Sequence, residues 1–548
     1  MLKTANASCA MCLLLLALSS CREAEDPELL EVFASWKALS EPTTPPLLIR
    51  YPLPETVYPA DMRSPIVDWE WERRSQPHWF VTIRVPSMDT RYTARPQETQ
   101  WSPRREDWTA IIEALAGTNE EAFLSVVAIS RRSPARVLAA DTVSFRISAH
   151  PVGAPLVYRL VPLPLPPPSR YDEVEWRKGT VSSYDEPDLL LTGLNACLNC
   201  HSVSADGSHL AFDINYDDHD RSHYVIAEVG PEVHLSKSNT FSWNEFRGGP
   251  ICPSESLCTA GATMPSPDGR YFISEVLVDD NVISPRADKW HSLQGATVLG
   301  ILAFYDTTTG EVTPLPGADS PDYVHAFPWF FPDGERIVLA RAPVREELLG
   351  WTHERREKML SLDLDDLLKA QHLQLDLYTM PFNEGRGGVP QPLPGAHDNG
   401  KNNYAPRVSP DGKWIVFRKS ETGTFVPPDS DLYIIPAEGG EARRLSCSSD
   451  TTDSGHTWSP NSRWLAFVSK RDSPYTNLYL THIDEDGNDS PAILLSHFRK
   501  ESLAVNLPEF FPIQPGDLQR LHLDEALDVY LMNEEDSSDR PRWGPSSL

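Results

Sequence analysis

The chain has 548 residues, more than one typical domain contains, so the sequence predicts two or more domains. Hydrophobic residues make up 40% and charged residues 23%, as in ordinary globular proteins and unlike disordered or membrane-embedded chains. The formal net charge of −29 argues against a nucleic-acid partner, because phosphate binding needs a basic surface. An acidic surface keeps a protein soluble and could also steer a basic partner.

The first 21 residues predict export. Lys3 precedes a short apolar run, residues 10–18, which cannot span a bilayer but fits the core of a signal peptide. The run ends in Leu18-Ser19-Ser20-Cys21, which resembles a bacterial lipobox. That resemblance implies that Cys21 carries lipid and becomes the N-terminus; the alternative is an ordinary signal peptide with a chance cysteine. Arg22 follows, where lipoproteins of the inner membrane often carry Asp, so we expect an outer-membrane lipoprotein of the cell envelope, attached to the membrane by its lipid.

Residues 22–45 are polar and contain proline, which is typical of a tether. Residues 46–150 contain short alternating runs, for example 79–85, 123–129 and 143–147, separated by polar turns. This pattern predicts a β-sandwich of the immunoglobulin or fibronectin type III kind, with a short helix within residues 101–115. A proline-rich connector follows at residues 162–168.

Residues 151–520 repeat a turn followed by an apolar strand, and four-stranded units repeated around an axis form a β-propeller. In the turn, proline presets φ, Asp bonds the backbone ahead and Gly accepts a positive φ. The five turns are Ser204-Ala-Asp-Gly207, Ser266-Pro-Asp-Gly269, Phe331-Pro-Asp-Gly334, Ser409-Pro-Asp-Gly412 and Ser459-Pro-Asn-Ser462. This repeat resembles that of TolB-like propellers. The resemblance implies six blades, the sixth closed by strands near residues 156–163 and the C-terminal part. We predict an all-β chain with a helical insertion at residues 346–370 and an acidic tail at residues 521–548.

The motif Cys197-Leu-Asn-Cys200-His201 is the pattern by which two thioethers fix a c-type haem and the adjacent imidazole ligates its iron. Export strengthens this interpretation, because c-type haem is attached outside the cytoplasm. The alternatives are a disulfide or an incidental cysteine pair, and zinc is disfavoured because no second Cys/His pair stands at ligand spacing. The sequence therefore predicts one covalent haem c, with Cys197 and Cys200 as attachment sites and His201 as the proximal ligand.

A haem iron has a second axial face. His456 precedes its turn by three residues, as His201 does, so both are expected on inner strands, facing related positions at the channel. His456 is the first candidate for the distal ligand and Met264 is the alternative.

The remaining cysteines agree with export. Cys252 and Cys258 have the spacing of a small disulfide loop in an oxidising compartment, whereas Cys447 is expected to be buried and inert.

The motif within a repeat resembles a family of bacterial lipoprotein-like propellers with a c-type haem, a resemblance that implies a fold and a cofactor but no reaction. Electron transfer or redox sensing with an envelope partner is the leading hypothesis. A protein-interaction scaffold, binding its partner at the channel mouth as TolB-like propellers commonly do, is the second. A haem-dependent peroxidase is the third, whereas a serine hydrolase is disfavoured because Gly-x-Ser-x-Gly does not occur.

Overall fold

The computed structural model describes residues 46–523, except 74–75, 89–90, 164–167, 195–197, 215–222, 244–257, 279–281, 285–293, 297–299, 346–372, 423–426 and 515. The predicted leader with Cys21, the tether and the helical insertion lie outside the described residues, as do Cys197, Cys252 and the chain beyond 523. The chain divides into two compact units. The first comprises residues 46–52, 66–102 and 122–144, and the second comprises 53–65, 103–121 and 145 onward.

The first unit contains two antiparallel sheets. Apolar side chains alternate with polar ones along Val67–Trp71, so one face of its sheet is buried. Trp69 of this sheet contacts Trp79 of the other edge-to-face, with ring centroids 5.5 Å apart. The predicted β-sandwich is therefore confirmed. In spatial order, one sheet consists of Leu47–Tyr51, Val67–Trp71 and Gln100–Trp101; the other consists of Ser133–Ile147, whose last three residues belong to the second unit, Ala122–Ser130, His78–Arg84 and Arg91–Ala94.

Two segments that the sequence assigned to the sandwich belong to the second unit, residues 53–65 and 103–121. The second of them contains the predicted helix, Arg105–Leu115. The indole Nε1 of Trp108 donates a hydrogen bond of 2.9 Å to the Met62 carbonyl, and the ring contacts Tyr58 at 5.3 Å. The strand Thr56–Tyr58 pairs in parallel with residues 145–147. Because these aromatic and backbone contacts bind both segments into the second unit, its limits differ from the predicted boundary after residue 150.

The rest of the second unit contains six four-stranded antiparallel sheets among the described residues, which we call blades. From the inner to the outer strand, blade 1 is Leu503–Phe510, Leu156–Pro162, Glu175–Gly179 and Asp188–Leu191; blade 2 is Leu198–Val203, His209–Ile214, His223–Glu228 and Thr240–Ser242; blade 3 is Cys258–Pro265, Tyr271–Val278, Gly300–Asp306 and Glu311–Pro314; blade 4 is Tyr323–Phe330, Arg336–Pro343, Asp376–Pro381 and Gln391–Pro392; blade 5 is Asn402–Val408, Trp414–Ser420, Asp431–Pro436 and Arg443–Arg444; blade 6 is Asp453–Trp458, Trp464–Ser469, Asn477–His482 and Ile493–Leu494.

Smaller elements accompany the blades. Two short sheets pair Glu232–Leu235 with Arg520–Leu523 and Val282–Ser284 with Gln294–Ala296. Short 3₁₀ helices occupy Pro168–Glu173, Lys237–Asn239 and Ser496–Phe498. Among the described residues, no helix has the length and hydropathy that crossing a membrane requires.

The blades form a closed ring. Each inner strand contacts the inner strands of the blades before and after it, and the inner strand of blade 6 contacts that of blade 1. Blade 1 closes the ring because its inner strand, Leu503–Phe510, pairs with Leu156–Pro162 from the beginning of the repeat region. The predicted six-bladed propeller, with its closure by these two regions, is therefore confirmed. Closure gives Leu503–Phe510 a partner strand and leaves the inner edges of the blades short and protected within the ring, which limits aggregation through exposed edges.

The repeated turn joins the inner strand of a blade to the next strand. In blade 5 the Ser409 hydroxyl donates to Asp411 at 2.6 Å and accepts the backbone N–H of Trp414 at 3.0 Å. Blades 2, 3 and 6 repeat the same bonds with their own turn residues. In blade 2, Gly207 has φ of 73° and lies so close to Pro512, which follows the inner strand of blade 1, that a Cβ atom would meet the Pro512 carbonyl oxygen at 2.4 Å. The turn residues thus fix both the blade and its approach to the neighbouring one.

Every inner strand contains a bulge in its middle, where the pairing with the second strand shifts register. In four blades a residue of the bulge has a positive φ between 47° and 53°, namely Phe327, Ala405, Gly455 and Leu507. A bulge twists its strand and redirects the side chains beside it. The repeated bulge therefore sets which side chains of each inner strand point to the ring centre.

Candidate functional site

One side chain from each inner strand occupies the same register, two residues before the turn. In blade 2 this residue is Ser202, whose hydroxyl bonds to the Tyr224 hydroxyl of its own blade at 2.9 Å. The other five meet at the centre of the ring, and we call them the central cluster. The central cluster consists of Met264, Trp329, Arg407, Thr457 and Glu509.

Arg407 connects the central cluster. Its Nη2 donates to Glu509 Oε1 at 2.6 Å, and Glu509 Oε2 accepts from the Thr457 hydroxyl at 2.9 Å. The guanidinium also lies 3.9 Å from the Trp329 ring centre, and its Nη1 is 3.4 Å from the Met264 sulfur. Burial raises the pKa of the Glu509 carboxyl, and Arg407 opposes that rise. Arg407 and Glu509 together thus link side chains from five blades.

His201 lies on the inner strand of blade 2, where the sequence placed it. It is 3% exposed, and its Nε2 donates to the Val157 carbonyl of blade 1 at 3.2 Å. Trp176, Phe212 and Phe511 surround the ring, with Trp176 edge-on at 4.7 Å. Burial lowers the pKa of His201 to about 3, so the imidazole is neutral at physiological pH.

His456 has the same environment in blade 6. It is 3% exposed, and its Nε2 donates to the Val416 carbonyl of blade 5 at 3.0 Å. Val416 pairs with Arg407, as Val157 pairs with Glu509, so the two acceptors are equivalent positions of their blades. Burial, together with Arg407 and Arg418, lowers the pKa of His456 to about 3.

His201 and His456 occupy equivalent positions of their blades, as predicted, but their side chains do not face the channel. Each imidazole lies in the interface with the preceding blade, instead of facing the channel, because its Nε2 reaches a main-chain acceptor there. One lies between blades 1 and 2 and the other between blades 5 and 6, so the structure does not bring them to a common position. Met264, the alternative ligand, lies in the central cluster beside Arg407.

These residues do not fit haem ligation as they stand. An iron would need the Nε2 of His201, which the Val157 carbonyl occupies, and the surrounding aromatic rings leave the imidazole nearly without exposed surface. Cys200 is partly exposed and its thiol bonds to Asp213, while Cys197 lies outside the described residues. Ligation would therefore require His201 to leave its pocket.

Two buried carboxyls that the sequence did not predict as site residues, Asp213 and Glu275, contact residues of the inner strands. Burial raises the pKa of Asp213 to about 7, against hydrogen bonds from Cys200 and Thr263. Burial also raises the pKa of Glu275 to about 8, a rise that the backbone N–H of Phe327 opposes and the charge of Asp213 reinforces. Both lie at the same register of their blades' second strands, in the apolar runs 210–214 and 271–278. A single acidic residue in such a strand was the signal that could have identified them.

Two other cysteines that the sequence singled out, Cys258 and Cys447, belong to the described residues. Cys258 begins the inner strand of blade 3 and pairs with Val278, and its predicted disulfide partner lies outside the described residues. Cys447 is 2% exposed, and burial raises the pKa of its thiol well above the ordinary value, as expected of an inert cysteine.

No family model matches this sequence, and no curated protein is significantly similar to it. Solved structures similar to the chain include TolB from Acinetobacter baumannii, with 13% identity, 72% of this chain and 80% of that one covered, and a TM-score of 0.40. A putative TolB from Agrobacterium tumefaciens has 14% identity, covers 66% of this chain and 99% of its own, and has a TM-score of 0.34. A chain of a nidogen–laminin complex has 7% identity, covers 66% and 100%, and has a TM-score of 0.36. Similarity at this level carries no inference about function.

We predict that Arg407→Met destabilises the propeller by about 3–5 kcal/mol, because it leaves the Glu509 carboxyl buried without its cation. The double variant R407M/E509M should recover most of the loss, since it removes both charges. The matched control is Arg386→Met, which breaks an exposed pair of 2.9 Å with Glu384 and should cost about 1 kcal/mol or less. Denaturant unfolding of the four proteins measures these differences. Equal losses in R407M and R386M would show that the central cluster is not a stabilising centre.

Proposed function

We propose that this chain is a protein-interaction scaffold of the cell envelope, with a propeller that presents rigid surfaces to a partner. The polar side chains of the central cluster, and both candidate haem-ligating histidines, are engaged in contacts between blades, which supports a structural role for them. Groups used in this way hold the ring together. Ligating an iron or reacting with a substrate would break the contacts.

The partner should then bind at one of the two ends of the ring. One end carries the repeated turns, where Asp206 and Asp333 are exposed, and the other carries the residues that precede the inner strands, such as Asp450 and Glu501. Acidic side chains at both ends agree with the net charge of −29 and favour a basic partner.

Photo-cross-linking in the native host tests this proposal. A benzophenone amino acid replaces Asp206 or Asp333 at one end and Asp450 or Glu501 at the other; the controls are Glu311 and Gln391, exposed residues on outer strands of blades 3 and 4. We expect one discrete protein adduct from positions at one end, weaker at high salt, and none from the controls. Adducts from the controls alone, or from no position at all, would reject the scaffold.

Covalent haem is the second candidate. It is favoured by Cys200, which is partly exposed on an inner strand directly before His201, as the motif requires. Mass spectrometry of peptide 195–207, from cells that attach c-type haem, should then show one haem adduct, absent in Cys200→Ser. An unmodified peptide from such cells would exclude this candidate. An adduct would mean that His201 leaves the Val157 carbonyl.

We further propose that Cys21 carries a lipid that holds the scaffold at the membrane, on the basis of the lipobox-like sequence before it. Cys21→Ala should release the protein from the membrane fraction, because no other anchor is proposed. Fractionation with an immunoblot measures the distribution, and Cys447→Ala serves as a cysteine control that should stay with the membrane. If C21A remains in the membrane fraction, the lipid anchor is wrong.

A further inference from the structure

A two-stranded parallel sheet joins the last described strand to the loop that leads to the outer strand of blade 2. Glu232–Leu235 pairs with Arg520–Leu523, with His234 opposite His522. Backbone bonds from Leu518 to Gly230, at 2.8 Å, and from Gln519 to Pro231, at 2.9 Å, precede the pairing. The alternate residues Val233, Leu235 and Leu521 are buried in the blade core. The sheet therefore presents its other face outward.

That outward face holds Glu232, His234 and His522. One potential ligand atom from each lies within 4.8 Å of the others. The two imidazoles are stacked, with centroids 4.8 Å apart and planes 14° from parallel. The Nε2 of His522 lies 3.8 Å from the Glu232 carboxylate, beyond hydrogen-bond distance, and has no hydrogen-bond partner among the described residues.

The chemistry of this triad suits a transition-metal ion. Two imidazoles and one carboxylate, with water at the fourth position, form a common donor set for Zn²⁺, at bond lengths of about 2.0–2.2 Å. Donors at those lengths in a tetrahedron lie about 3.3–3.5 Å apart. Glu232 and His234 are exposed and His522 is partly exposed, so modest rotations of these side chains would bring the ligand atoms from within 4.8 Å of one another to the separation that the metal requires.

We propose that Glu232, His234 and His522 bind one divalent transition-metal ion, which fastens the last described strand, Arg520–Leu523, to the loop before the outer strand of blade 2. The register of the parallel strands brings both histidines to one face, and Glu232 shares that face because it lies two residues before His234. Metal binding would then stabilise the pairing of Arg520–Leu523, the segment from which residues 524–548 continue. The proposal does not depend on the scaffold function or on the haem.

Calorimetry with Zn²⁺, and absorption with Co²⁺ as a spectroscopic probe, tests the site in full-length, tag-free protein. Wild type should bind one equivalent at this site, with cobalt bands typical of a low-coordinate nitrogen and oxygen site. His234→Ala and His522→Ala should each weaken binding by about 100-fold or more, and Glu232→Gln should weaken it less. The control is His78→Ala, an exposed histidine of the first unit, which should leave the affinity unchanged.

Hydrogen exchange of residues 520–523 provides the second readout. Zn²⁺ should slow exchange there in wild type and in His78→Ala, and should have no effect in His522→Ala. Glu232→Gln leaves both histidines and the strand pairing intact. Weaker Zn²⁺ binding in this variant would therefore come from the missing carboxylate ligand and not from disruption of the strand. If His522→Ala binds Zn²⁺ as wild type does, or if wild type shows no bound equivalent, the site is rejected.

Discussion

The guanidinium of Arg407 is the group on which the centre of the propeller depends. It pairs with Glu509, lies against Trp329 and contacts Met264, and Glu509 in turn accepts from Thr457. An ion pair away from water is stable when its remaining hydrogen-bonding atoms are also satisfied. Here the second carboxylate oxygen of Glu509 accepts a hydrogen bond from the Thr457 hydroxyl, and the Arg407 guanidinium lies over the ring of Trp329. Blades that are far apart along the chain are held together by this one set of contacts.

The two histidines extend the same logic to the interfaces between neighbouring blades. A neutral imidazole donates one hydrogen bond to a carbonyl of the preceding blade, in blade 2 from His201 and in blade 6 from His456. This bond offsets part of the cost of burying the neutral ring, although the Nδ1 atom of His201 has no hydrogen-bond partner among the described residues, and a protonated ring would be strongly disfavoured. Polar side chains of the inner strands thus connect neighbouring sheets. Ligation of an iron by the same histidines would break these hydrogen bonds.

The architecture could be predicted from the sequence because its signals are local. The turn beginning at Ser409 shows why: the serine, the aspartate and the positive-φ glycine each have a fixed role within five residues. The direction of a side chain at the ring centre could not be predicted in this way. His201 and His456 share the predicted register, yet the bulge and the neighbouring blade decide where their rings point. Those neighbours are non-local. Two partners of Arg407, Glu509 and Met264, are separated from it by 102 and 143 positions in the chain, and no sequence pattern links them to it.

NMR of protein labelled with ¹⁵N-histidine shows whether the inner-strand histidines serve as neutral connections between blades. Signals of His201 and His456 are assigned by their loss in His201→Gln and His456→Gln. Because burial lowers the pKa of both to about 3, each should show the neutral form with the proton on Nε2, unchanged as the pH falls from 8 to about 5. Titration of either ring near the ordinary value of about 6.5, or displacement of the His201 signal by a paramagnetic iron, would show that the histidine is not a neutral connection between blades.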